Sequence, residues 1–207
     1  MFYAHKGRIA HKWGHYLDIY DHHLGRYRNT AVKMLEIGVN HGGSLELWRK
    51  FFGPQATIFG IDISPECAER VTPPNQVRIG SQADPRFLRG VVEEMGPPDV
   101  VLDDGSHHAS HQRISFDTLF PLLNDGGLYI IEDVHTSYFP GFSEGGYQRK
   151  GTAIEYAKQM IDDMHAWYHR HKAATPTQRL IKAIHFYDSL VVIEKAQIER
   201  PLHIQVS

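Results

Sequence analysis

Five short apolar runs that end in Gly or an acidic residue constrain this chain more than any other feature: V-K-M-L-E-I-G, T-I-F-G-I-D, Q-V-R-I-G, D-V-V-L-D-D and G-L-Y-I-I-E-D. Continuously apolar runs suit parallel strands covered on both faces, which have no wet side to mark with alternating polar residues. Between them, segments 44–52, 84–95 and 108–123 carry helical period, and Leu119, Leu122 and Leu123 are expected to face the sheet. This alternation predicts α/β architecture with a doubly wound, mostly parallel sheet. A further helix is expected from Thr152 to about His171, with Ile154, Ala157, Ile161, Met164 and Tyr168 as core packing. Two β-type runs joined at Asp188-Ser189 predict a C-terminal hairpin that adds one antiparallel strand.

A chain of 207 residues fits one such domain. Residues 1–30 are expected to form an N-terminal helical cap, and residues 134–150, rich in Gly and aromatics, an active-site lid loop. The formal charge of -2, with both signs interspersed, argues against nucleic acid and anionic membranes as partners. One cysteine, Cys67, no run long enough to cross a bilayer and no secretory signal predict a cytoplasmic protein. A homo-oligomer stays open.

The first strand leads into E-I-G-V-N-H-G-G-S, so Glu36, Gly38, Gly42 and Gly43 lie at the turn and Ser44 at the start of the next helix. Glycines there admit a ligand that side chains would exclude, and a helix N-terminus offers free N–H groups; a nucleotide-like group is expected. Such turns also occur simply to pack a helix on a sheet. The spacing G-x-x-x-G-G departs from the dinucleotide pattern G-x-G-x-x-G and so disfavours a nicotinamide-dependent oxidoreductase. Glu36 can pair with a positively charged amino acid moiety, and Asp62, at the end of the second strand, can accept from ribose hydroxyls. Gln82 and Asp84 follow the third strand and can read an adenine edge, although Asp84 before Pro85 equally suits a helix N-cap.

The fourth and fifth strands end in D-D-G-S-H-H and E-D-V-H, which brings Asp104, Glu132 and Asp133 to one sheet edge. Three unpaired carboxylates at such spacing repel one another unless a divalent cation neutralises them, and oxygen ligands favour Mg²⁺, Mn²⁺ or Ca²⁺. The alternative is that some of them cap helices or pair with Arg or Lys. Alternation turns Asp103 to the opposite face, so it is grouped with the cofactor contacts rather than the metal ligands. His107 is the candidate general base, since a hydroxyl nucleophile must lose its proton. His107 and His111 have the spacing of a zinc pair but lack a third soft ligand nearby. His108 and His135 touch substrate or sit at the rim, and His165 and His169 suit a solvated face. Tyr16, Tyr20, Tyr138, Phe139 and Phe142 line an acceptor cleft or belong to the core.

With these motifs together, the sequence resembles the metal-dependent sugar O-methyltransferases that act on macrolide deoxysugars, of the macrocin and mycinamicin type. The matching segments are K-W-G-H-Y-L-D-I-Y-D-H-H-L, L-E-I-G-V-N-H-G-G-S-L-E-L-W, I-F-G-I-D-I, G-S-Q-A-D-P-R-F-L, D-V-V-L-D-D-G-S-H and G-G-L-Y-I-I-E-D-V-H-T-S-Y-F-P. The chain is also similar to enzymes that methylate mannosides in polysaccharide synthesis, and cephalosporin hydroxylase-like proteins share related motifs. The resemblance implies a Rossmann-like class I methyltransferase fold, S-adenosylmethionine as methyl donor and a sugar or glycoside hydroxyl as acceptor. It implies Mg²⁺ on Asp104, Glu132 and Asp133, a base at His107, and cofactor contacts from Glu36, Gly38, Asp62 and Gln82. Catechol methylation is the nearest rival chemistry, and a cofactor-binding module without turnover the non-catalytic one.

Overall fold

A computed structural model describes residues 2–142, 144–170, 175 and 177–206. The five apolar runs are the strands β1 (Lys33–Ile37), β2 (Thr57–Asp62), β3 (Gln76–Ile79), β4 (Val100–Asp103) and β5 (Leu128–Ile131). The hairpin expected at Asp188-Ser189 is β6 (Ile181–Tyr187) and β7 (Leu190–Lys195). All seven join in one sheet of order β3-β2-β1-β4-β5-β7-β6. The first five are mutually parallel, and β7 runs antiparallel to both β5 and β6. The pairing of β6 with β7 is interrupted by a bulge between Ile181 and Ala183.

Six α-helices accompany the sheet among the described residues: α1 (Tyr16–Leu24), α2 (Gly43–Phe52), α3 (Cys67–Arg70), α4 (Pro85–Met95), α5 (Ala109–Leu119) and α6 (Ala153–Met164). Alternation along the strands divides the core into two layers. Leu35, Val101, Tyr129 and Ile131 pack with Leu88 and Val91 of α4, Phe116 and Leu119 of α5, and Ala157 and Met160 of α6. Met34, Val100, Leu102 and Ile130 pack with Tyr16 and Tyr20 of α1 and with Leu45, Trp48 and Phe52 of α2. Both faces are therefore dry, which is why the strands read as unbroken apolar runs. No helix among the described residues is long and apolar enough to cross a membrane.

Three expectations change in detail. The segment 108–123 is α-helical only to Leu119, because Pro121 has no N–H to extend the ladder and its ring crowds the carbonyl one turn back; a 3-10 turn over Phe120–Leu122 follows, and Leu119 and Leu123 are buried. The late helix ends at Met164, and the end expected near His171 lies outside the described residues. Its buried residues are Ala153, Ala157 and Met160, whereas Ile161 and Tyr168 are exposed. The stretch after β5 begins with a 3-10 helix, Val134–Tyr138, before it becomes irregular.

Candidate active site

The strand order reverses between β1 and β4, since the chain winds outward through β2 and β3 and then returns to β4 on the other side of β1. Such a switch point leaves a crevice at the carboxyl ends of the strands. A cavity of about 570 Å³ lies here, lined among others by Gly38, Ser44, Asp62, Gln82, Asp104, His107 and Asp133. Residues 9–12 of the N-terminal arm contribute another part of its wall.

Glycine is required at the turn after β1. Gly38 has φ +91°, and a Cβ there would collide with the backbone carbonyl of Asp104 on the neighbouring loop. Gly42, with φ +83°, caps the N-terminus of α2 and packs against the Arg70 carbonyl rather than lining the cavity. The Ser44 hydroxyl faces the cavity and donates to Glu36 Oε2 at 2.7 Å. Glu36 itself is fully buried beneath, where Trp48 Nε1 also donates to it at 3.3 Å.

Asp62 reaches back to the β1 turn. Its Oδ2 accepts from the amides of Val39 and Asn40 at 2.9 and 3.0 Å, and its Oδ1 from the Ser64 amide at 2.9 Å. Burial pushes this carboxyl up, but the amides of Asn40, Ser64 and Val39 outweigh it and hold the group below its ordinary value. Gln82 is pinned at both ends: Oε1 accepts from the Ser106 amide at 2.7 Å, and Nε2 donates to Asp103 Oδ1 and Ser115 Oγ at 3.1 Å each.

Besides Gly42 and the buried Glu36, two more expected cofactor contacts do not line the cavity. Asp84 is exposed and caps α4, accepting from the amides of Arg86 and Phe87 at 2.8 and 3.2 Å. Asp103 is fully buried on the α4–α5 face, where Gln82, Ser115 and Tyr129 all donate to it. Strand alternation turns it from the neighbour that does face the cavity, and it braces Gln82 from behind.

The acidic cluster is organised by a residue that the strand motifs do not reveal. Glu36, Asp104 and Glu132 follow the same strand face, toward α1 and α2, and the ammonium of Lys12 from the N-terminal arm lies among them. Lys12 Nζ is 2.7 Å from Asp104 Oδ2, 3.0 Å from Glu132 Oε1 and 3.5 Å from Glu36 Oε1. Burial alone would favour loss of its proton, but Glu132, Asp104 and Glu36 together raise its pKa well above the ordinary value. Burial and the nearby Asp104 push Glu132 up to about 8 against the pull of Lys12. One ammonium cannot balance three carboxylates, so the cluster keeps net negative charge at the cavity floor.

Glu132, the third ligand expected for the metal, is engaged by Lys12 and Tyr20 in this structure. It faces Lys12, accepts from the Tyr20 hydroxyl and is 1% exposed. Asp133 departs from strand geometry with φ +54°, which sends its carboxylate to the cavity beside Tyr16, whose hydroxyl donates to Oδ1 at 2.7 Å. His107 has φ +55°, an uncommon conformation outside glycine that costs energy and is held in place by the surrounding structure. Its Nε2 lies 3.9 Å from Asp104 Oδ1 and 3.8 Å from Asp133 Oδ2, while its buried Nδ1 has no hydrogen-bond partner among the described residues. One ligand atom each from Asp104, His107 and Asp133 lie within 4.8 Å of one another. The carboxylate oxygens, partly open to solvent, fit a hard divalent cation that keeps several open positions, with the His107 imidazole beside it.

The other histidines divide by environment. His111 Nδ1 contacts Ser106 Oγ at 2.9 Å and lines the cavity, His108 stacks near Phe142, and His135 packs between Trp13 and Phe139. His165 and His169 are exposed. Tyr16 and Tyr20 are buried, whereas Tyr138 and Phe139 are exposed, so the five aromatics do not form one wall. Glu144 of the 134–150 stretch accepts from the Ser110 amide at 2.9 Å, which fastens that stretch to the start of α5.

Residues 35–134 match the family described as a methyltransferase domain. The chain is 36% identical over 196 residues to the 8-demethyl-8-alpha-L-rhamnosyl tetracenomycin-C 2'-O-methyltransferase of Streptomyces olivaceus, a match that covers 89% of this chain and 51% of that protein. It is 38% identical to the mycinamicin VI 2''-O-methyltransferase of Micromonospora griseorubida, over 86% of this chain and 47% of that one. Among solved structures it superposes with a TM-score of 0.80 on the MycE methyltransferase from the mycinamycin biosynthetic pathway, in complex with Mg, SAH and mycinamycin VI. That similarity carries 37% identity and covers 87% of this chain and 48% of the other. The chain thus spans about half the length of the curated relatives it matches.

Proposed function

We propose that the chain, which matches a methyltransferase domain over residues 35–134 and is similar to sugar O-methyltransferases of natural-product pathways, transfers a methyl group from S-adenosylmethionine to a hydroxyl of a sugar or glycoside, with Mg²⁺ required. The observation that carries this reading is the single cavity that joins the Gly38–Asp62–Gln82 wall to Asp104, His107 and Asp133. When bound, S-adenosylmethionine supplies a methyl group already activated on a sulfonium, and Mg²⁺ supplies a positive centre that lowers the pKa of an acceptor hydroxyl.

The chain's own residues do the rest. Gly38 leaves room for the cofactor, Asp62 offers its remaining acceptor capacity to ribose hydroxyls, and Gln82, locked by Asp103 and Ser115, presents a fixed edge to the base. Asp104 and Asp133 hold the metal ion, and Lys12 keeps the adjoining Glu36 and Glu132 from repelling them. His107 takes the acceptor proton at Nε2, and its neighbours Asp104 and Asp133 stabilise the resulting imidazolium. No covalent enzyme intermediate is needed; orientation and electrostatics supply the rate. The 134–150 stretch acts as the lid that excludes water, and the cytoplasm is the compartment that suits a single buried thiol.

The test is methyl transfer from labelled S-adenosylmethionine to a panel of rhamnosyl and deoxysugar natural products, mannosides and catechols, with and without Mg²⁺. Labelled glycoside formed only with Mg²⁺ is the expected result. Transfer to catechols alone, or to glycosides in metal-free protein, would refute the reading.

A further inference from the structure

Outside the cavity lining, the C-terminal end of α1 meets the hairpin at a group of side chains with no part in methyl transfer. His23 of α1, His185 of β6 and Glu194 of β7 each offer one ligand atom, and the three atoms lie within 4.8 Å of one another. His185 Nε2 is 2.9 Å from Glu194 Oε1, and the His23 ring centroid is 4.8 Å from that of His185. We propose that His23, His185 and Glu194 form a second divalent-metal site, of the kind that Zn²⁺ occupies, which clips helix α1 to the C-terminal hairpin.

The donor set is the first support. Two imidazoles and one carboxylate are borderline ligands that select Zn²⁺ over the harder Mg²⁺, and they differ in kind from the carboxylate ligands of the cavity site. Bonds of about 2.0 Å at tetrahedral angles separate ligand atoms by roughly 3.3 Å. The His185–Glu194 separation is already close to that, and the wider ones need contract by only roughly 1.5 Å.

The surroundings of each ligand are the second support. His23 is 7% exposed, and its Nε2 lies 2.8 Å from the Tyr187 hydroxyl, an outer contact of the sort that orients a metal-bound imidazole. Burial first, then the nearby His185 and His22, lower its pKa to about 4, so it presents a neutral, ligating ring at physiological pH. Lys182 Nζ stands 3.4 Å from Glu194 Oε2 and leaves Oε1 to the metal. A cross-strand pair of His185 with Glu194 and Lys182 would serve the hairpin without any third partner. The buried His23 imidazole, anchored on Tyr187, adds a third donor from a helix far away in the chain.

The clip would act on the active site from a distance, because α1 also carries Tyr16 and Tyr20, which donate to Asp133 and Glu132. This inference does not depend on the transferase reading. Chelator-stripped protein held in excess Mg²⁺ is titrated with Co²⁺ as the optical probe and with Zn²⁺ for melting and X-ray absorption. Wild type is expected to bind one equivalent of Co²⁺ with four-coordinate visible bands, to show two imidazole nitrogens around Zn²⁺, and to gain thermal stability. His185→Ala and Glu194→Gln should each weaken binding by about tenfold or more and remove the thermal gain. Unchanged affinity in both variants, no binding in Mg²⁺, or a bound Zn²⁺ with fewer than two imidazoles overturns the site. Glu194→Gln keeps the side-chain shape, so it decides the matter if His185→Ala does not fold.

Discussion

The Lys12 ammonium sits 2.7 Å from the Asp104 carboxylate, across 92 positions of sequence. The pair is the junction between the N-terminal arm and the strand ends, and it ties the stability of the domain to the geometry of its cavity. Lys12→Met should lower the unfolding free energy by ~3–5 kcal/mol, because it strands buried charge. Asp21→Asn, which breaks an exposed pair with Arg28, should change it by less than about 1 kcal/mol. Urea unfolding of both variants checks the contrast, and equal effects would contradict the central place given to Lys12.

His107→Ala is expected to reduce methyl transfer by a factor of about 10²–10⁴ while S-adenosylmethionine still binds. Single-turnover transfer together with calorimetric cofactor binding separates the two. A variant that transfers methyl at the wild-type rate would remove His107 from the role of base.

Metal dependence should follow Asp104 and Asp133 and not Asp103. Chelation is expected to stop transfer and Mg²⁺ to restore it, and Asp133→Asn should raise the Mg²⁺ concentration needed. Asp103→Asn should keep the wild-type Mg²⁺ response but lose about 1–3 kcal/mol of stability, since its partners Gln82, Ser115 and Tyr129 are buried. Mg²⁺ titrations of activity beside urea melts of the same samples give both numbers.

The pH dependence of stability has a sign that the geometry sets. Glu132 holds its proton up to about pH 8 in the folded, metal-free protein and ionises near its ordinary value when unfolded. Between those values the folded state binds more protons, so this group's contribution falls as pH rises from about 4.5 to about 8. His23, lowered to about 4 by burial first, works the other way: its contribution rises with pH across about 4 to 6.5 and is flat above. The measurement is therefore a difference of melting curves against pH, wild type minus Glu132→Gln. A difference that stays constant from pH 5 to 8 would show that Glu132 titrates normally.

The scaffold was readable because local periodicity reports burial directly. Runs dry on both faces marked β1 to β5, Asp188-Ser189 marked the hairpin, and Asp84 before Pro85 left the helix cap open as a reading. The site was readable as far as the strand ends: alternation set Asp103 apart from Asp104 in advance, though not that Asp103 would be sealed away from the cavity. Local pattern cannot report long-range charge pairing, which is where Lys12 enters and engages Glu132. It also cannot foresee the left-handed backbone at Asp133, which redirects that carboxylate when plain strand geometry would not. Lys12 did lie inside a segment shared with the sugar O-methyltransferases, but nothing in its neighbours says which charges it meets.

The order of the strands has a consequence for how the molecule behaves in company. One rim of the sheet is β3, only four residues long, and the other is β6, interrupted by its bulge and carrying the exposed Lys182. Neither rim offers a long, flat, uncharged template for another chain to add to by backbone pairing, and the apolar edge of β5 is sealed by β7. The C-terminal hairpin thus guards against polymerisation as well as completing the core.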